Sequence, residues 1–68
     1  MAADFATAAR AALARMTARQ ADALVLRYGL DGGHERSYRE IGRQLSVSGH
    51  TARALVEQAQ ADLRRLLE

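Results

Sequence analysis

The 68-residue chain has no cysteine, no proline and no tryptophan. Without cysteine it can form no disulfide and offers no thiolate to zinc, which suits a reducing, cytoplasmic setting. Without proline nothing breaks a helix from within, and abundant alanine and leucine favour helices along the whole chain. Lysine is missing as well, so all ten basic residues are arginine. Long apolar runs are also lacking. None approaches the roughly 18 residues that a membrane span requires, so no membrane partner is expected. The start, "MAADFATAARAALAR", is rich in alanine but broken by Asp4 and Arg10. It lacks the apolar core of a secretory signal, although its amphipathic, arginine-bearing character is shared with transit peptides.

Chemistry is equally sparse. No glycine-rich phosphate loop and no convincing pair of acids can be read, and so short a chain offers no deep pocket. His34 lies beside Glu35 without further ligands, so neither a metal site nor a cofactor is expected. The chain reads as a non-enzyme. Its length suits one small domain over residues 1–68. A core of this size is marginal without staples, so the chain must rely on helix packing, a partner, or both.

The formal net charge of +2 is unevenly spread. Over residues 1–35, Arg10, Arg15, Arg19 and Arg27 cancel Asp4, Asp22, Asp31 and Glu35. Over residues 36–53, Arg36, Arg39, Arg43 and Arg53 face Glu40 alone. The last fifteen residues are slightly acidic, with Arg64 and Arg65 against Glu57, Asp62 and Glu68. A polyanion would therefore be drawn to the middle segment, unless its arginines are only a solvated face.

Four helical segments follow from spacing and caps. The first runs from about Asp4, a candidate N-cap, to Arg15, with Phe5, Ala8, Ala9, Ala12, Leu13 and Met16 on one apolar stripe. The second starts at Thr17, where "TARQ" fits a capping box. Ala21, Leu24, Val25 and Tyr28 follow at helical spacing, and Gly29 ends it with Leu30 closing the cap. "DGG" is a turn. The third starts at Ser37 with a second capping box, "SYRE". Ile41 and Leu45 point inward, and Gly42 lies on nearly the same face. Ser46-Val47-Ser48 forms a break, with Ser48 capping the fourth helix. That helix runs from about Gly49 to Leu67, with Ala52, Leu55, Val56, Ala59, Leu63, Leu66 and Leu67 inward. Gly49, His50, Arg53, Ala54, Glu57, Gln58 and Ala61 face the other way.

The third and fourth segments fit a helix-turn-helix. Such a motif needs apolar residues and one small residue at the crossing, an apolar plug in the turn, and a second helix that buries one stripe and presents the rest to the major groove. Ile41 and Leu45, Gly42, Val47, and Ala52 with Leu55 fill these roles. Many such motifs carry glycine where this chain has Ser46.

The stretch "MTARQADALVLRYGLDGGHERSYREIGRQLSV", Met16 to Val47, resembles region 4 of primary bacterial sigma factors, most specifically in "LRYGLDGG" and "EIGRQLSV". The resemblance implies an all-α, four-helix domain with an N-terminal helix over residues 1–16 and the sigma region 4-like part over 17–68. It also implies a bacterial or phage transcription protein, nucleoid-associated in the cytoplasm. Family members bind the promoter −35 element and dock on the flap of the RNA polymerase β subunit. After the turn the pattern departs. Ser48 and Arg53 match, but Gly49, His50 and Thr51 replace a usual Arg-Glu-Arg run, and Ala54 replaces glutamine. Arginine paired bidentately with guanine is the commonest specific base contact, and glycine or alanine cannot supply it. "VSGHTARALV" instead resembles the recognition helix of LuxR-type regulators over about ten residues.

The expected DNA-binding residues are therefore Arg53, with His50 and Thr51 near base edges. Ser48, Ser37, Arg39 and Arg43 would serve phosphates, and Arg19 matches a sigma-family arginine near the backbone. The competing role for each arginine is a surface ion pair, Arg39 or Arg43 with Glu40 and Arg53 with Glu57. Two functions stand side by side. One is a double-stranded DNA reader of altered base specificity. The other is a module that docks on RNA polymerase or a sigma-related partner. A homodimer through the first helix and the Leu66-Leu67 end is a third arrangement.

Overall fold

The computed structural model describes residue 7 and residues 10–67, the last for its backbone alone. Every regular element among them is α-helical. Helix α1 is described over residues 10–13 and ends in tight turns, where Arg15 and Met16 donate backbone N–H groups to Ala12 and Leu13. Ala12 is buried, and Leu13 and Met16 are half-buried. The expected cap at Asp4 and the stripe positions Phe5, Ala8 and Ala9 lie outside the described residues. The Leu67 side chain does too, so the surface expected for a homodimer is mostly undescribed.

Helix α2 spans Ala18–Tyr28, α3 Tyr38–Leu45 and α4 Gly49–Leu67. The first two begin where the capping boxes predict. The Thr17 hydroxyl accepts the Gln20 N–H at 3.2 Å while the Gln20 side chain reaches back to the Thr17 N–H, and Ser37 and Glu40 repeat the arrangement. Each cap satisfies donors that the helix leaves orphaned and is worth about 1 kcal/mol. Gly29 closes α2 in the left-handed conformation, at φ 67°, and Leu30 N–H bonds the Val25 carbonyl at 2.9 Å. The Leu30 side chain remains 52% exposed.

The connection from α2 to α3 is tied to both helices. Asp31 accepts the Gly33 N–H and the Arg36 guanidinium, the latter at 2.8 Å. Arg36 N–H bonds the Leu26 carbonyl. Arg27 donates to the Arg36 carbonyl at 3.0 Å and lies over the Tyr38 ring, 4.3 Å from its centroid.

Ala23, Leu26, Ile41, Ala52 and Val56 form the centre of the core, with Tyr38, Leu45, Val47 and Leu55 packed around it. α4 packs on both α2 and α3. Near its start α2 sends Gln20 to Asp62, and at its end Tyr28 accepts from Gln60. Gln20 and Tyr28 are about 12 Å apart along a helix, whereas their partners are two residues apart. α2 therefore crosses α4 rather than running along it. The burial of α2 is correspondingly wider than one stripe: Ala23 and Leu26 join Leu24 inside, while Tyr28 is 45% exposed. Gln20 is the single buried polar side chain among the described residues, and its amide is satisfied by Thr17 and Asp62. No helix among them is long and apolar enough to cross a membrane.

Candidate nucleic-acid interface

The α3–turn–α4 unit has the geometry that its sequence predicts. Ser46 takes the left-handed position after α3, at φ 60°, the one non-glycine residue with positive φ among those described. Serine pays strain there that glycine would not. Val47 N–H bonds the Gly42 carbonyl at 2.8 Å, which folds the turn back over α3. A Cβ on Gly42 would lie 2.7 Å from the Val47 carbonyl oxygen and 3.0–3.1 Å from the Ser48 and Gly49 backbone. Glycine is thus what lets the turn lie on α3. Ser48 then caps α4: its hydroxyl accepts the Thr51 N–H at 3.0 Å and donates to Thr51 Oγ1 at 3.0 Å. Its proton is engaged within the cap, so any onward donation to a phosphate would pass through Thr51.

Gly49 seats the start of α4 against α3, because a Cβ built there would meet the Arg39 backbone at 3.6–3.7 Å. Ala52, Val56 and Ala59 are fully buried and fix the rotation of α4. His50, Thr51, Arg53, Ala54, Glu57 and Gln58 are left exposed. The fold therefore gathers Arg39, Ser48, His50, Thr51 and Arg53 around the first two turns of α4. Arg43 follows one turn after Arg39 on α3 and is exposed like it. Arg19 is also exposed, but it lies in the first turn of α2, on another helix.

Ion pairing separates these arginines. Arg53 pairs with Glu57 at 3.3 Å, one of the two outcomes considered for it. Arg36 pairs with Asp31, and both groups hold their charge more strongly for it: the guanidinium draws the Asp31 carboxyl below its ordinary 3.8, and Asp31 raises Arg36. Glu40 pairs with neither Arg39 nor Arg43. Its carboxylate accepts the Ser37 N–H and approaches His34 Nε2 at 3.4 Å, and these contacts, the Ser37 N–H first, hold it below 4.5. Arg39 and Arg43 are left without an ion pair among the described residues. Ser37 is exposed, but the Glu40 carboxylate already sits at its end of α3. A phosphate there would meet a negative charge, so the α4 side is the better seat for an anion.

A shallow, open depression runs beside α3, lined by His34, Arg36, Glu40, Arg43 and Gln44. It is a surface contour rather than a ligand cavity. Among the described residues no cluster of His, Asp and Glu could hold a metal ion.

A family model described as Sigma-70, region 4, matches residues 12–65. The chain is 40% identical over 53 residues to the RNA polymerase sigma-C factor of Nostoc sp.. It is likewise 40% identical over 53 residues to RNA polymerase sigma factor SigA2 of Synechococcus elongatus. Both alignments cover 78% of this chain, but only 13% of the first relative and 17% of the second. The chain thus spans less than a fifth of the length of either. No solved structure matches it. The match takes in all of α2 and α3 and most of α4, and the chain belongs to the sigma-70 region 4 family.

Proposed function

We propose that the chain is a DNA-binding transcription module that sets its helix-turn-helix on promoter DNA with altered base specificity. Residues 1–68 act as one domain, with 17–68 as the region 4 part, working at the nucleoid in the cytoplasm. Region 4 is not an enzymatic domain, and binding is the whole of its task. The observation that carries the reading is the exposed start of α4. His50, Thr51 and Arg53 stand there beside Arg39, with Arg43 one turn further along α3, and neither Arg39 nor Arg43 has an ion pair among the described residues. In the major groove, Arg53, His50 and Thr51 would face base edges. Arg39 and Arg43, with Ser48 at the start of α4 and Arg19 on α2, would position the backbone, and Ser37, which shares its helix start with the Glu40 carboxylate, would add least. With Gly49 and Ala54 in place of longer polar side chains, fewer base edges can be bonded, so the preferred site differs from the −35 sequence of primary sigma factors.

The test is a titration against a pool of random duplexes at two salt concentrations, with sequencing of what is retained. The expected result is an enriched motif that is lost in Arg53→Ala, at a cost of about 1–3 kcal/mol. Retention without a motif would reduce DNA to a backbone contact, and no retention at either salt would overturn the reading.

A second reading, docking on the RNA polymerase β subunit or a sigma-related protein, is favoured by the exposed Tyr28 and Leu30 at the end of α2. It fits the names of the relatives, which are RNA polymerase sigma factors. Capture of core polymerase that survives Arg53→Ala and is lost in Leu30→Asp would support it. Capture that is indifferent to Leu30→Asp would count against it.

A further inference from the structure

The exposed face of α4 carries an acid, Glu57, one turn beyond the arginine expected to read DNA. Arg53 Nε donates to Glu57 Oε2 at 3.3 Å, and the two side chains are 62% and 57% exposed. The pair does little for the fold. Exposed i,i+4 pairs contribute little, and arginine preceding glutamate is the weaker order along a helix. A carboxylate on this face, about two turns from the helix start and one turn past Arg53, also repels phosphate. Its useful property is geometric. The bond runs through Nε, and neither terminal guanidinium nitrogen of Arg53 has a hydrogen bond among the described residues. Those two nitrogens form the fork that bonds guanine O6 and N7 together. An unrestrained arginine on the same face would reach any nearby phosphate instead.

We infer that Glu57 is a positioning residue for base recognition. It holds Arg53 with its terminal fork turned toward a guanine edge and keeps that guanidinium from the phosphates. The backbone attraction is then left to Arg39 and Arg43 on α3. This rests on the DNA-reading function proposed above. It also accounts for how a helix with so few polar side chains discriminates: one arginine is restrained rather than several deployed.

The experiment measures binding of the full chain by fluorescence anisotropy. The probes are a duplex carrying the enriched motif, the same duplex with its Arg53-dependent guanine replaced, and an unrelated duplex. Glu57→Ala lies at an exposed helical position, so it keeps the fold, and circular dichroism checks this. The expected outcome is that Glu57→Ala lowers the preference for that guanine about two- to fivefold, the most that an exposed pair can enforce. On the unrelated duplex binding tightens, and the slope of log affinity against log salt steepens by about 0.9, one extra phosphate contact. In an Arg53→Ala background, Glu57→Ala should change the guanine preference no further. If the wild-type chain enriches an Arg53-dependent motif and Glu57→Ala leaves its preference intact, the role of Glu57 is overturned while DNA reading stands. If the wild-type chain enriches no motif, both fall together.

Discussion

Gly42 and Gly49 both sit where α3 meets the following helix, and the same substitution should affect them in opposite directions. Gly42→Ala places a methyl 2.7 Å from the Val47 carbonyl oxygen and 3.0–3.1 Å from the Ser48 and Gly49 backbone. All three neighbours are main-chain atoms of a turn fixed by the 2.8 Å bond from Val47 N–H to the Gly42 carbonyl. No flexible side chain can swing aside, so the turn itself must move. Overpacking costs about 1–3 kcal/mol, and with backbone atoms as all three neighbours the upper part of that range, about 2–3 kcal/mol, applies. Replacing a helical glycine by alanine returns about 1 kcal/mol. The net loss is about 1–2 kcal/mol, or roughly 5–15 °C in a domain of this size. Gly49→Ala brings a methyl to 3.6–3.8 Å from the Arg39 and Tyr38 backbone, an ordinary contact. It should be neutral or stabilising by up to about 1 kcal/mol. Thermal and urea unfolding followed by helical circular dichroism measures both. A Gly42→Ala protein as stable as the parent would refute the close approach of the turn. A strongly destabilised Gly49→Ala would refute the spacing between α3 and α4. Because the turn carries Ser48, Gly42→Ala should also weaken DNA binding at temperatures where the variant is still folded.

Ser46→Gly relieves a left-handed serine at φ 60° and should raise the unfolding midpoint, by about 0.5–1 kcal/mol once the added freedom of the unfolded chain is counted. A lower midpoint would show that the serine is not strained. Ser48→Ala removes the acceptor for Thr51 N–H and should cost about 0.5–2 kcal/mol in chemical unfolding; an unchanged midpoint would show that the cap contributes nothing. Asp31 and Glu40 titrate below their ordinary values of 3.8 and 4.5 when folded, through Arg36 for the first and chiefly the Ser37 N–H for the second. Their stabilisation is therefore complete above the unfolded-state values and is lost as pH falls through the folded-state ones. The unfolding temperature should drop as the solution is acidified below about pH 4.5, and less so in Glu40→Gln. Equal acid sensitivity in that variant would remove Glu40 from the account.

Helix ends were the most legible part of the sequence because each is fixed by a local bond. Thr17 with Gln20, Ser37 with Glu40, Gly29 and Ser48 all involve partners within five residues, and each stands where its spacing predicts. Burial was less legible where one helix meets several neighbours. The period of α2 singles out Ala21, Leu24, Val25 and Tyr28, and Leu24 is fully buried, yet the crossing over α4 and the contact with α3 also bury Ala23 and Leu26 and leave Tyr28 half outside. A single apolar stripe describes a helix packed on one side, and α2 is packed on more than one.

The charge count located the basic segment but not the cations within it that remain available to a polyanion. In sequence, Arg36, Arg39, Arg43 and Arg53 stand against Glu40 alone. Folding brings Asp31 to Arg36 and Glu57 to Arg53, while Glu40 turns to Ser37 and His34. Two of the four arginines are therefore neutralised by acids from outside the segment, and the acid inside it neutralises neither Arg39 nor Arg43. Window sums cannot show this, because both acids lie just outside the window, Asp31 five residues before Arg36 and Glu57 four after Arg53, while Glu40 inside it is taken up by Ser37 and His34. The consequence is measurable in the salt dependence of binding. Each phosphate contact contributes about 0.9 to the slope of log affinity against log salt. Losing Arg39 or Arg43 should lower the slope by about that amount for every duplex tested. Losing Arg36 should leave the slope unchanged while destabilising the α2–α3 connection that it ties to Asp31. If Arg36→Ala flattens the salt dependence as much as Arg39→Ala does, the division between paired and available cations is wrong, and the basic segment binds as its bare charge would suggest.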